Sequence, residues 1–306
     1  MAFYAYNRRE DDDLVQAEKE LMLSIDRTYD LYHYLMLLII DLSDIASEKI
    51  DQARQKRIPA PEDLNPKRRF IDNPVIEQIR NNEAFSKYIS QRHLSWVNSH
   101  IPRLLYNKLL KWDIFREYMS SEENNYLEDR KFVINLITVF FLQSEDLQAN
   151  LEEQSIYWND DLEYVAAMLE KTVKKFKPSS DSKLPLMPLF KNEEDEEFVK
   201  ILFRKAIINQ SSSSGLIDNN TTNWEIERIA LMDILVMQLA ITEILEFQEI
   251  PVRVSLNEYI EIAKFYCTSK SSTFVNGILD KIVKELRDSG KLKKTGRGLV
   301  GEELKD

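Results

Sequence analysis

Apolar side chains recur every three or four positions along most of this 306-residue chain, which is the period of an amphipathic α-helix. The clearest stripe repeats every fourth residue through Phe274, Ile278, Ile282 and Leu286. The pattern predicts helices at about 14–57, 75–94, 127–143, 160–176, 192–208 and 224–247, and a last one that starts near 274. Because such helices are not stable singly, we expect them to pack into an all-α bundle.

Prolines and polar runs separate the predicted helices. Four prolines in residues 57–74 indicate an extended connection, since proline fixes φ and lacks an N–H. The basic triplet 67–69 within it is predicted to be a solvated loop rather than an RNA contact. A second linker is predicted at 178–188 and a serine-rich loop at 211–214. The acidic run after Asn192 favours a capped helix start over a metal or acid–base cluster, because first-turn carboxylates complement the helix dipole.

The chain is acidic, with a net charge of −11 and a pI of about 5.0. Such a field repels nucleic acid, so any RNA contact must come from a local basic patch or a basic partner. Cys267 is the only cysteine, which rules out an intramolecular disulfide and a zinc site built on cysteines. The three histidines lie far apart in the sequence and show no metal spacing. We therefore expect neither a metal nor a cofactor.

All six glycines lie at position 215 or later, whereas phosphate-cradling loops need glycine for their tight turns. No P-loop, dinucleotide fingerprint or nucleophile elbow can be written on the sequence, which excludes the many enzyme classes that depend on these motifs. The N-terminus carries no secretory signal pattern. The most apolar stretch, 31–40, is too short to span a bilayer. These features predict a cytoplasmic protein without a membrane segment.

The last third of the chain carries an ordered set of short motifs. They are W-x-x-x-R at Trp224 and Arg228, then Asp233, A-x-x-E at Ala240 and Glu243, N-E-x-x-E-x-A-K from Asn257 to Lys264, and S-x-x-F-V-N-G-x-L-D from Ser271 to Asp280. In this order they resemble the signature of the NusB family, and the resemblance covers about residues 158–286. The length of the chain is similar to that of long, Bacteroidetes-type members.

The resemblance implies a NusB-like helical bundle with additional N-terminal and inserted helices. On this basis, 1–157 holds the additional helices, 158–288 is the family-like domain, and 289–306 is a basic tail that we expect to be disordered. The resemblance also implies a non-catalytic transcription antitermination factor. Such a factor binds boxA-type RNA together with the ribosomal protein NusE, and the pair joins the RNA polymerase elongation complex during ribosomal RNA transcription.

The N-terminus departs from the family pattern. Family members usually begin with an arginine-rich helix that helps to hold RNA, whereas residues 1–6 resemble only the aromatic end of that helix, followed by Arg8 and Arg9. Either the true start lies upstream or part of the RNA surface is missing. Two alternatives therefore stay open. One is a NusB-fold protein-binding scaffold that has lost RNA binding, and the other is a module associated with an rRNA methyltransferase.

Candidate RNA-binding residues lie near the N-terminus and around the FVNG motif. They are Tyr4, Tyr6, Arg8, Arg9, Lys270, Phe274, Asn276 and Lys281. The aromatic rings are expected to stack on unpaired bases, with core packing as the alternative for Phe274. The two lysines either meet phosphates or are solvated, and Asn276 either bonds a base edge or caps a helix. Glu225, Glu227 and Arg228 are the candidate partner-binding residues, because an acidic surface attracts a basic ribosomal protein.

Overall fold

A computed structural model of the chain describes residues 2–7, 13–96, 99–221 and 229–300. These residues form α-helices with short 3-10 and π turns and contain no β-strand, which confirms the all-α prediction. Within these ranges, no helix combines the length and the apolar character that crossing a membrane requires. The chain divides into two compact units: unit 1 is Met1–Leu23 with Phe190–Asp306, and unit 2 is Ser24–Leu189.

The helices follow one another with short connections. In chain order they are α1 (Ala2–Asn7), α2 (Leu14–Arg54), α3 (Pro61–Leu64), α4 (Pro74–Arg80), α5 (Glu83–Arg92), α6 (Ile101–Leu109), α7 (Asp113–Ser120), α8 (Tyr126–Asn135), α9 (Glu145–Gln154), α10 (Leu162–Lys175), α11 (Glu193–Ile208), α12 (Gln210–Asn220), α13 (Leu231–Glu246), α14 (Val252–Tyr266) and α15 (Ser271–Asp288). A π-helical turn at Leu136–Phe141 continues α8, and 3-10 turns lie at Ile156–Trp158 and Gly296–Leu299.

The part of α2 that belongs to unit 2 lies at the centre of that unit. Leu31, Leu35 and Leu38 have no exposed surface, as the predicted apolar stripe requires. Around them the core is rich in aromatic rings, and Phe70 packs edge-on against two other phenylalanines at centroid distances of 5.4 and 5.7 Å. Edge-to-face contacts of this kind stabilise a core beyond the area that they bury.

The predicted helix at 75–94 is wrong, because this segment forms two helices, α4 and α5. Asn82 interrupts it: its side-chain oxygen accepts a hydrogen bond from Phe85 N at 3.0 Å and caps α5. Its amide group donates to the carbonyl of Leu184 at 2.8 Å. An asparagine that bonds backbone groups in this way competes with a continuous helix.

The connection at 57–74 is also more ordered than predicted. It contains the short helix α3, and its second half turns into the core, where Phe70 is 1% exposed. Arg69 is not solvated, since its guanidinium lies 4.1 Å from the ring centroid of Tyr118 and donates to that residue's carbonyl at 2.7 Å. Lys67 and Arg68 match the expected surface position, because both are exposed and Arg68 pairs with the exposed Asp72 at 3.0 Å.

Unit 1 is built around α13, whose residues are apolar on nearly every side. Met237, Ala240 and Ile241 are fully buried there, as is usual for a helix surrounded by others. Asn192 caps α11 as predicted, with its side-chain oxygen accepting from Asp195 N at 2.9 Å.

Three predictions for unit 1 are wrong in detail. Residues 211–214 are helical, because α12 runs through them and buries Ser213. The predicted helix at 224–247 does not run unbroken into α13, which begins at Leu231, because the backbone angles of Ala230, φ −57° and ψ 134°, are not helical; residues 224–228 lie outside the described residues. The segment 291–300, expected to be disordered, lies against the turn between α13 and α14, where Thr295 N donates to Gln248 O at 3.0 Å.

Candidate nucleic-acid interface

Three of the motif residues that were read from the sequence, Asp233, Glu243 and Ser271, take part in two hydrogen bonds that join the C-terminal helices. Tyr259 of α14 donates its hydroxyl to the Glu243 carboxylate of α13 at 2.8 Å, and both side chains are buried. Burial and the neighbouring carboxylate raise the pKa of Tyr259 well above its usual value, so the hydroxyl keeps its proton. Ser271 of α15 donates to Asp233 of α13 at 3.0 Å. These four residues hold the bundle together and leave other residues for binding.

The Asp233–Ser271 bond fixes the first turn of α15. Thr268 lies beside it, with its hydroxyl 2.9 Å from that of Ser271. Cys267 lies in the same group, and burial together with the nearby carboxylate of Asp233 raises the pKa of its thiol to about 12. A thiol that stays protonated is a poor nucleophile. This cluster therefore positions the helix and offers no catalytic group.

Three of the candidate RNA-binding residues share one side of α15. Lys270 occupies the N-cap position, and Phe274 and Lys281 follow it by four and eleven residues. At about 100° per residue, these spacings place the three positions within about 40° of one another around the helix axis. The line from the first lysine to the second is about 16 Å long, at 1.5 Å of rise per residue.

The environment of this side suits a polyanion. Lys270 and Lys281 are exposed, and neither pairs with a carboxylate in the part of the chain that the structure describes. Phe274 is half-buried, with part of its ring packed against the core cluster of unit 1. The two readings of Phe274 are therefore compatible, because one part of the ring packs on the core while another part stays accessible.

Asn276 points to a different side of α15. It follows Phe274 by two residues, which places it about 200° away around the helix. Its amide nitrogen donates to Asp280 at 3.2 Å. The capping alternative is wrong, because α15 begins at Ser271 and Asn276 lies in its second turn. We call the side that carries Lys270, Phe274 and Lys281 the lysine side of α15.

The N-terminal candidates belong to other surroundings. Tyr6 is half-buried, and its ring packs edge-on against Phe203 at a centroid distance of 6.3 Å. It belongs to a different apolar cluster from Phe274. Tyr4 lies in α1, but its side chain is outside the described residues, as are Arg8 and Arg9.

The candidate partner-binding residues Glu225, Glu227 and Arg228 also lie outside the described residues. Among the residues that are described, no group of three or more His, Cys, Asp or Glu side chains is placed to hold a metal ion. Gly277 of the FVNG motif was not among the candidate site residues, although it lies on the lysine side, three positions after Phe274 and four before Lys281. This spacing of three and four residues is the sequence feature that identifies the position.

Comparisons with known proteins agree on one family. The model of the NusB family matches residues 161–284. The chain is 44% identical over 115 residues to transcription antitermination protein NusB of Salinibacter ruber, a match that covers 38% of this chain and 72% of the relative. It is 44% identical over 105 residues to the protein of the same name from Chloroherpeton thalassium, covering 34% of this chain and 50% of that relative.

Among solved structures, the chain is similar to NusB of T. maritima, with 26% identity, coverage of 53% of this chain and 94% of the other, and a TM-score of 0.31. The family match starts one residue before α10 and ends within α15. It therefore includes α10, which packs in unit 2, as well as most of the described helices of unit 1. The predicted limits of the family-like domain, 158–288, stay a prediction.

Proposed function

This chain belongs to the NusB family, and we propose that it is a non-catalytic antitermination adaptor that binds boxA-type RNA together with the ribosomal protein NusE. The observation that carries the RNA half is the lysine side of α15. Two lysines that pair with no carboxylate among the described residues flank a half-buried aromatic ring there, in a protein whose net charge is −11. Lysines supply counter-charge to phosphates, and an aromatic face stacks on an unpaired base of any sequence.

The acidity of the chain supports the protein half of the proposal. A basic ribosomal protein is attracted to an acidic surface. It also provides positive charge for binding the RNA, because this chain has a net negative charge. Glu225, Glu227 and Arg228 are the residues that we assign to this contact. The pair then joins the RNA polymerase elongation complex, with this chain in contact with the polymerase only indirectly.

The proposal is tested by measuring the affinity for a boxA-like RNA, with and without NusE, over a series of salt concentrations. We expect tight binding only with NusE. The double variant Lys270→Gln/Lys281→Gln should lower the slope of log K against log salt by about 1.4, because each lost contact to single-stranded RNA contributes about 0.7. Lys171→Gln/Lys175→Gln, with the same charge change on exposed positions of α10, is the matched control.

A second pair of variants tests the protein contact. Glu225→Lys/Glu227→Lys should abolish NusE binding, whereas Glu152→Lys/Glu153→Lys, on exposed positions of α9, should leave it unchanged. If neither RNA nor NusE binds the unmodified chain, the proposal is wrong.

One observation favours a second function, a scaffold that binds protein and no longer binds RNA. Tyr6 is packed against Phe203 and is therefore less available to stack on a base. A NusE complex that gains no RNA affinity over the chain alone would favour this scaffold function.

A further inference from the structure

Gly277 occupies a position in the middle of α15 at which the fold gives no reason for a glycine. Glycine is a poor helix former, because the unfolded chain loses more conformational freedom when it becomes helical. A Cβ at this position would meet no atom within 4 Å, so neighbouring groups do not require its absence. The backbone is helical there, without the positive φ that favours glycine. An alanine would fit and would form a better helix.

The position of Gly277 on the helix surface suggests why a glycine occurs there. Gly277 is exposed, and it lies on the lysine side, between Phe274 on the preceding turn and Lys281 on the next. Side chains three and four residues apart are neighbours on a helix surface. The missing side chain therefore leaves the helix backbone uncovered between an aromatic ring and an ammonium group.

We propose that this gap admits a nucleotide of single-stranded RNA, which approaches the α15 backbone at Gly277 with its base beside Phe274 and its phosphate near Lys281. The inference rests on the proposed function and adds a residue that decides how closely the RNA approaches. Glycine is the usual residue where a ligand comes close to a backbone. The aromatic ring favours RNA over an acidic protein surface, because it supplies a stacking contact that only a base uses fully.

A second glycine of unit 1 provides the matched comparison. Gly215 lies inside α12, is exposed, and would also place a Cβ in open space. Its neighbours one turn away are Ser211, Ser212, Asp218 and Asn219, and they include neither a lysine nor an aromatic ring. The two glycines thus share their helical setting and differ only in the chemistry around them.

The test compares Gly277→Ala with Gly215→Ala in the full chain, by thermal unfolding and by affinity for a boxA-like RNA in the presence of NusE. Both variants should raise Tm, each by about 2–4 °C, since alanine is the better helix former. Only Gly277→Ala should weaken RNA binding, by about tenfold, because its methyl group keeps the base from the ring. A gain in stability combined with a loss of affinity has no explanation in folding alone.

Each other outcome overturns the inference. Gly277→Ala with unchanged RNA affinity would mean that the gap is not occupied, and a lowered Tm would mean that the glycine serves the fold. Loss of NusE binding instead of RNA binding would assign the lysine side to the protein partner. The variant Lys270→Gln/Lys281→Gln separates a failure of this inference from a failure of the proposed function. If that variant weakens RNA binding and Gly277→Ala does not, the proposed function stands and only the inference about Gly277 fails.

Discussion

Units 1 and 2 satisfy their buried polar groups in different ways. In unit 2, two of the buried carboxylates, Asp30 and Asp129, pair with arginines, whereas Asp161 accepts a hydrogen bond from the Thr28 hydroxyl at 2.6 Å. Asp30 has no exposed surface and accepts two hydrogen bonds from Arg92, each at 2.8 Å. Burial opposes the charge of Asp30, but the hydrogen bonds from Arg92 and Tyr88 and the positive charge of Arg92 outweigh it, so the pKa of Asp30 is lowered. Asp129 is likewise buried and pairs with Arg69.

In unit 1, the buried carboxylates bind neutral hydroxyl groups instead. Glu243 accepts from Tyr259, and Asp233 accepts from Ser271 through one oxygen only. Of the buried side-chain atoms without a hydrogen-bond partner in the described chain, three belong to this unit: Asp233 Oδ1, Gln238 Oε1 and Ser255 Oγ. The fourth, Ser43 Oγ, belongs to unit 2.

The difference shows that the two units depend on different interactions for stability. A buried arginine–carboxylate pair adds little net stability, but losing one partner leaves an uncompensated charge in the core. A carboxylate bonded to a hydroxyl loses less when its partner is removed, because the donor was neutral. Unit 2 should therefore be more sensitive than unit 1 to single substitutions of charged residues and to pH.

The largest expected effect is that of Arg69→Met. It leaves Asp129 buried without its counter-charge and removes the donor to the Tyr118 carbonyl, so we expect a loss of about 3–5 kcal/mol in the free energy of unfolding. Urea unfolding followed by circular dichroism measures it, and hydrogen exchange at α8 localises it to unit 2. The neighbouring Arg68→Met removes only an exposed pair with Asp72 and should cost less than about 1 kcal/mol. Equal effects of the two substitutions would remove the distinction between buried and exposed arginines.

The next effect is a loss of stability in acid that arises from His33. Burial lowers the pKa of this histidine from 6.5 to about 4, although its bond to the Tyr29 carbonyl and the charge of Asp30 act in the opposite direction. The unfolded chain binds the proton near pH 6.5 and the folded chain only near pH 4. Stability should therefore fall as the pH is lowered through this interval, by about 3 kcal/mol in total.

The variant His33→Gln should flatten that pH dependence, whatever it does to stability at pH 7. His100→Gln, at an exposed position, is the control and should leave the dependence as it is. The free energy of unfolding, measured in urea at several pH values between 7 and 4, gives the answer. An unchanged slope for His33→Gln would assign the acid sensitivity to the carboxylates.

In unit 1, the largest expected change in stability comes from a substitution that disturbs packing and not from one that removes a charge. A Cβ at Gly298 would lie 2.0 Å from the backbone oxygen of Gln248, so Gly298→Ala forces the segment 291–300 away from the turn between α13 and α14. We expect a loss of about 1–3 kcal/mol, the usual cost of overpacking. Gly215→Ala should raise stability by about 0.5–1 kcal/mol. Thermal unfolding of the two variants measures this difference, and two shifts of the same sign would contradict it.

The sequence was sufficient to predict features that depend on local pattern. The apolar stripes of α2 and α15 and the cap at Asn192 follow from spacing and residue type within a few turns. The grouping of Lys270, Phe274 and Lys281 follows from spacing as well, since helical geometry fixes which positions share a side.

The features that were missed depend on residues distant in the sequence. Asn82 ends one helix and starts another partly because its amide reaches the Leu184 carbonyl. Tyr6 is half-buried because Phe203 meets it, and Gly298 is ordered because the carbonyl of Gln248 lies beside it. No window of neighbouring residues contains these partners, so propensity and periodicity could not predict the contacts.

The smallest expected effect comes from a carboxylate of unit 2 that has the opposite pH dependence. Burial, and then the negative charge of Asp44, raise the pKa of Asp41 from 3.8 to about 6, against the effect of Arg80. An acid whose pKa is raised on folding contributes stability at low pH and loses it as the pH rises through about 6. Asp41→Asn should therefore stabilise the chain at pH 8 and have little effect at pH 4. Because the side chain is only half-buried, solvent screening limits the gain to about 1 kcal/mol. Asp51→Asn, at an exposed position on α2, should change stability equally little at both pH values, and urea unfolding at pH 4 and pH 8 compares the two. If Asp41→Asn instead lowers the free energy of unfolding at pH 8, then Arg80 stabilises the charged Asp41 in the same way as Arg92 stabilises Asp30 and Arg69 stabilises Asp129.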